Sequence, residues 1–303
     1  MTIRYDRPVS RSAYLARALG LFSAGMVALV VLAHRFGPLT TPDFVALAVL
    51  AAVPAVLAVP LAVIGLARLW YVGARGGKAA AAALFYAALP LSLVGWGAYR
   101  FLDRPPVYDV SSDLVDAPQW LTIPAGKQQW MQRPPITPMS REAQYLAYPE
   151  LTGRRYEGAL DRVYEAVRKV AEESGFTIVS QRGQEFAMPE FQPTAPAGPA
   201  EEADPNAEPQ GVPVPLPRPE PQPDAIPATP EPIGTVRLQG SVRTMMLGLP
   251  FDMVIRLREE AETTLVDMRV ASRFGPHDLG IGAEIADHYL HALDAELLGI
   301  AGD

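Results

Sequence analysis

Three stretches in the first hundred residues carry no charge and are almost wholly apolar: 18–33, 44–67 and 79–99. A helix needs roughly 20 such residues to cross a bilayer, because each residue advances it only about 1.5 Å. The second and third stretches, of 24 and 21 residues, meet that length as they stand. The first has 16 and reaches 22 when counted from Ser12, with the Arg17 guanidinium drawn up to the headgroups. The pattern predicts a membrane region over 1–104 with three transmembrane helices at about 13–33, 44–67 and 79–99. Val31-Leu32-Ala33 has the small-residue look of a leader cleavage site, but two more spans follow at once, which favours an uncleaved first span.

Orientation is read from the Lys and Arg residues near the span ends. Arg4, Arg7, Arg11, Arg17, Arg68, Arg75 and Lys78 fall on one side, and only Arg35, Arg100 and Arg104 on the other. The excess places the N-terminus in the cytoplasm and, after an odd number of spans, the rest of the chain outside it. In a bacterium this describes a multipass inner-membrane protein with a periplasmic C-terminal domain. Trp70, Tyr71, Trp96, Tyr99 and Phe101 stand where an interfacial aromatic belt is expected. Pro54, Pro60 and Pro90 lie inside spans, where neighbouring helices can satisfy the freed carbonyls. Gly20, Gly95 and Gly97 read as points of close helix approach. No Asp, Glu or His lies within a span, which argues against a proton relay, an ion pathway or a transporter.

The net charge of −7 is a cancellation: +7 over 1–104, −7 over 189–232, and −7 over the remainder. No segment past 104 is basic enough for a nucleic-acid footprint, so the expected partner is the lipid bilayer and not a nucleic acid. With no cysteine, the chain has no disulfides, cysteine zinc sites or thiol nucleophiles.

Beyond 104 the composition is that of a soluble α+β domain, over 105–188 and 234–303, split by an insert at 189–233. Residues 107–153 are rich in Pro and read as extended chain wrapping the domain, with one helical turn near 140–145. Leu160, Val163, Tyr164, Val167, Val170 and Ala171 recur at helical spacing up to Gly175. Short β-branched or alternating runs predict strands at 176–180, 236–242, 251–257 and 265–270, with 259–262 as the last turn. Ile281, Ile285, Tyr289, Leu293 and Leu297 predict a final helix from about Asp278, its N-cap, to Leu298. The result is an antiparallel sheet packed by two helices, a two-layer sandwich.

The insert holds 15 prolines in the 44 residues 189–232, with eight acidic residues and one Arg. Such a chain cannot bury enough apolar surface to offset the entropy of ordering, which predicts an acidic, disordered, polyproline-II-like loop. It is a tolerated hairpin insertion, or a tether for an envelope protein or cell-wall partner through 213–219.

Tyr108-Asp109-Val110-Ser111-Ser112-Asp113-Leu114, the run 251–257 and above all Ser272-Arg273-Phe274-Gly275-Pro276-His277-Asp278-Leu279-Gly280 resemble the family numbered 1499 among the domains of unknown function. The resemblance covers 107–188 and 234–298, and its sharpest motif is Ser-Arg-x-Gly-x-x-Asp-Leu-Gly. Where family members continue with Asn and then Arg-Ile, this chain has Gly282 and Glu284-Ile285. The resemblance implies a fold and a membrane-anchored placement, and no activity.

The chain lacks a catalytic constellation. The run 73–78 resembles a phosphate loop, but Val72 stands for its first Gly and Ala79 for its Ser or Thr. Glu284, His288 and His291 share one side of the last helix and read as a solvated face, so no metal or other cofactor is expected. The candidate ligand or partner site is the motif itself: Ser272, Arg273, Gly275, His277, Asp278 and Gly280. Arg273 and Asp278 are expected to pair across the turn, and the helix start beyond Gly280 to offer free amides to an anion. The leading expectation is a non-enzymatic binding or scaffolding module. The alternative is a binder of a small anionic or lipid ligand at this corner, which a deep concave site there would favour.

Overall fold

A computed structural model of the chain describes residues 8–124, 126–187 and 234–299. The predicted proline-rich insert lies outside the described residues.

Three helices come first: α1 (Arg11–Phe36), α2 (Thr41–Val72) and α3 (Gly77–Asp103). All three are long and apolar enough to cross a membrane. Each runs past its uncharged stretch, because polar residues at a span end keep helical hydrogen bonds while their side chains reach water. Thr40 caps α2 by accepting the Asp43 N–H, and Gly73 ends the helix in the left-handed conformation. The helices meet along a seam of small side chains, with Ala13, Ala16, Ala62, Ala80 and Ala83 fully buried. Gly20 lies against the Ala83 carbonyl and Gly65 against Ala13, so backbones approach closely there. Gly95 and Gly97 do not have this role: a Cβ at either would meet nothing within 4 Å. The buried residues of α3 end at Pro90.

The rest is an open antiparallel sheet of six strands with three more helices. The strands are β1 (Asp109–Ser111), β2 (Arg154–Glu157), β3 (Thr177–Arg182), β4 (Thr235–Arg243), β5 (Pro250–Glu260) and β6 (Thr263–Ser272). Their order is β1-β6-β5-β4-β3, and β2 shares the outer edge of β6 with β1. The helices are α4 (Pro138–Ala147), α5 (Leu160–Glu173) and α6 (Ile281–Leu298). Alternate residues of the central strands, among them Leu238, Met253, Ile255, Leu257, Met268 and Val270, are buried in one core with Val163, Val167, Tyr289 and Leu293 of α5 and α6. Burial of this apolar face against two helices is the dominant stabilising term for the domain.

The opposite face is charged yet also covered. Arg256 bonds Asp113, Asp116 and Asp267, Arg269 bonds Asp109 and the Pro118 carbonyl, and Gln239 bonds the backbone of Leu121 and Thr122. Residues 112–124 thus lie over the sheet as a strap held by these polar groups, and 126–131 continue it with Gln128 bonded to the Arg273 carbonyl, which makes specific the expectation that 107–153 wraps the domain. Two strands escape the sequence pattern. β1 has three residues, and β2, Arg-Arg-Tyr-Glu, has one apolar side chain. The last hairpin is tighter than predicted: Glu259 and Glu260 pair with Thr264 and Thr263, leaving Ala261-Glu262 as the turn.

Candidate functional site

The turn from β6 into α6 is the motif segment, and the structure uses each of its polar groups internally. Ser272 donates its N–H to the Tyr108 carbonyl and its hydroxyl to that of Phe274. Arg273 does not pair with Asp278. Its guanidinium bonds Asp252 on the neighbouring strand, with Nε 3.0 Å from Oδ2. Register explains this, since β5 sets Asp252 opposite Ala271, beside the end of β6. Gly275 has φ +81° and donates to the Met131 carbonyl, which joins the end of the strap to the turn. A side chain would be strained at that angle.

Asp278 is buried, and its carboxylate accepts the N–H groups of Gly280 at 2.7 Å and Gly282 at 3.0 Å. It therefore caps the helix from two residues before Gly280, where the backbone turns into α6 through φ +73°. The amides expected to face an anion are filled by the chain's own carboxylate. Burial pushes the Asp278 carboxyl up from an ordinary 3.8 to about 6, against the lowering effect of the two amides.

His277 is fixed at both nitrogens. Nε2 lies 3.1 Å from the Arg104 carbonyl and must donate to it, so Nδ1 is the acceptor for the Leu279 N–H at 2.8 Å. The ring stacks on Phe101 of α3, and burial holds its pKa below the usual value. Arg100 reaches from α3 to the Leu279 carbonyl at 2.7 Å and to Glu284. Glu284 is thus part of this joint. Among the described residues no group of three or more His, Cys, Asp or Glu could hold a metal.

A second joint ties the β4–β5 hairpin to the end of α1. His34 Nδ1 donates to the Leu247 carbonyl at 2.7 Å, and Nε2 accepts from the Thr41 hydroxyl at 3.2 Å. Arg35 Nε donates to the Met245 carbonyl. The domain therefore stands on the ends of α1 and α3.

Between these supports is a cavity of about 570 Å³, within the roughly 300–1,000 Å³ range of small-molecule sites. Phe44, Ala48 and Val49 of α2 and Leu93, Val94 and Gly97 of α3 form its lower walls. Leu249, Phe251, Trp130, Met131 and Phe274 form its roof. The polar residues that touch it, Thr41, Ser272, His277 and Asp278, have their side chains occupied as described. Four candidate corner residues thus fall into two groups: Ser272, His277 and Asp278 border the cavity, while Arg273 is turned away to Asp252. The helix residues were not among the sequence candidates. The available signal was glycine in the outer half of a span, read as helix contact where it makes open space.

Residues 217–293 match the model of a family described as Protein of unknown function (DUF1499). No curated protein and no solved structure matches the chain. The DUF1499 match takes in β4, β5, β6, every corner candidate and all but the end of α6. The earlier stretch 107–188 and the helices α1, α2 and α3 lie outside it, so the roof of the cavity falls largely within the matched region and the walls do not.

Proposed function

We propose that this is a multipass membrane protein whose α+β domain is a non-enzymatic binding module, with a small apolar ligand held in the crevice between domain and helices. The observation that carries the reading is a cavity of ligand size at the motif corner whose bordering polar groups are already engaged. A concave site favours a ligand over a scaffold, and the filled amides favour an apolar ligand over an anion. The corner has no nucleophile set against a base: the Ser272 hydroxyl is turned to a carbonyl, and both His277 nitrogens are bonded.

The same reading places the domain outside the cytoplasm, in a bacterium on the periplasmic side of the inner membrane. The basic residues Arg11, Arg17, Arg68, Arg75 and Lys78 support it, gathered at the ends of the helices away from the domain. A reporter active only in the periplasm, fused after residue 104, should be active, and activity of a cytoplasmic reporter there would refute the orientation.

Ligand binding is tested by purifying the full chain and its Gly97→Leu variant identically and analysing the apolar molecules that co-purify. Leucine at 97 enters open space and improves helix propensity, so the variant should fold while its crevice is filled. Retention by the parent and loss from the variant is the expected result. Equal retention would sink the proposal.

A further inference from the structure

The crevice reaches to two different depths, and this identifies what can enter it. Val49 lies eight residues beyond Thr41, and Leu93 ten before Asp103, so the walls descend about 12–15 Å from the helix ends. Since the uncharged stretches begin at 44 and end at 99, about 8–9 Å of this lies within the apolar part of the spans, a little over a quarter of a hydrocarbon core roughly 30 Å thick. The roof, by contrast, belongs to the domain and stands beyond the helix ends.

The side is open where lipid tails would lie. Among the residues bordering the crevice, Val49 is 52% exposed, Trp96 40% and Phe101 55%. The gap has a cause in the chain: α3 buries Ala79, Ala80, Ala83, Ala87 and Pro90 and nothing further along, while α2 remains packed through Phe44 and Ala48. Past Pro90 the helix presents Val94, Gly97 and Ala98 to the crevice, with no neighbour close to Gly97.

The hairpin beside the crevice bears on the same question. Met245 and Met246 are 88% and 85% exposed, and their loop is held at the last turn of α1 by His34 and Arg35. Two exposed methionines fixed at the height of a span's end face the bilayer surface. Exposed apolar side chains are thus held at the level of the helix ends, on the hairpin whose Leu247 and Leu249 border the crevice.

On the reading that the crevice is a ligand site, we infer that its occupant is one acyl chain of a membrane lipid, drawn sideways between α2 and α3 from the leaflet on the domain's side and ending beneath Trp130 and Phe274. A tail that enters this way exchanges one apolar surrounding for another. Close packing and the abundance of tails in the leaflet then hold it, rather than expulsion from water. Because its polar end stays at the leaflet surface, no free charged group is needed inside the crevice, and the one carboxylate that borders it, that of Asp278, is held by the Gly280 and Gly282 amides.

The test uses the full chain in nanodiscs of phosphatidylcholine carrying a photoreactive diazirine at the end of one acyl chain. Irradiation followed by peptide mapping should place adducts on the segments holding Trp130-Met131 or Phe274. Gly97→Leu should reduce these by about tenfold or more, with adducts at the outward-facing Leu29 and Leu57 unchanged. Roof adducts that persist in the variant would overturn the inference, since the label would then arrive by another route. If the roof is unlabelled while a molecule other than a lipid co-purifies in a Gly97-dependent way, the lipid assignment fails and the ligand site stands. An unlabelled roof with nothing co-purifying refutes both. Labelling of the roof only by a water-soluble short-chain diazirine acid would overturn lateral entry.

Discussion

Asp278 works as a helix cap from a site that disfavours its charge. Its carboxyl titrates at about 6 in the folded chain and near 4 when unfolded, so between these values the folded state holds the proton more tightly. The sign follows: stability falls as pH rises from about 4 to about 6 and stays reduced above, by about 3 kcal/mol for two pH units. Asp278→Asn keeps an acceptor for one amide and should flatten that loss, measurable as thermal unfolding of the purified chain between pH 4 and 7. An unchanged pH profile would show that another group is responsible. The importance of this residue was legible from the motif, and its partners were not. Spacing suggested Arg273, only five positions away. The actual partners are the amides at 280 and 282, while Arg273 takes Asp252, 21 positions upstream. Residues facing each other across a sheet are set by strand register, which no local spacing encodes.

Element by element, apolar periodicity recovered what buries an apolar face. The three spans, α5, α6 and the central strands β4, β5 and β6 each carry a long enough pattern to be read. β1 and β2 do not, because they are short edge pieces whose pairing is fixed by β6 rather than by their own side chains. Glycines within the helices show the same limit. Gly25, Gly65 and Gly97 look alike in sequence, yet a Cβ at Gly65 would lie 2.8 Å from that of Ala13, and one at Gly25 or Gly97 would touch nothing. Gly65→Ala should therefore push α1 from α2 and cost about 1–3 kcal/mol, whereas Gly25→Ala should stabilise by about 0.5–1 kcal/mol. Resistance of the purified chain to denaturing detergent gives the order; a tolerated Gly65→Ala would contradict the packing described.

For the whole molecule, the candidate site was half legible: its upper part lies in the recognisable motif, and its lower part in span residues that sequence alone assigns to the bilayer. The two parts meet only because the domain is fastened at separate places. Arg100 is one fastening, and its bonds to the Leu279 carbonyl and to Glu284 can be tested apart. Arg100→Leu should lower ligand retention several-fold; Glu284→Ala, which leaves the carbonyl bond in place, should retain most of it. Equal loss in both would make the side-chain pair the essential contact. Of the contacts that join domain to helices, those at Met245, Leu247, Leu279 and Arg104 are all made to main-chain oxygens. A peptide carbonyl is the same whatever side chain accompanies it, so substitutions can accumulate at these four positions without loosening the joint. Homologues could then share this architecture while their junctions look unrelated in an alignment, and the helix-borne donors His34, Arg35 and Arg100, with His277 returning the bond from the domain, are the places to look for it.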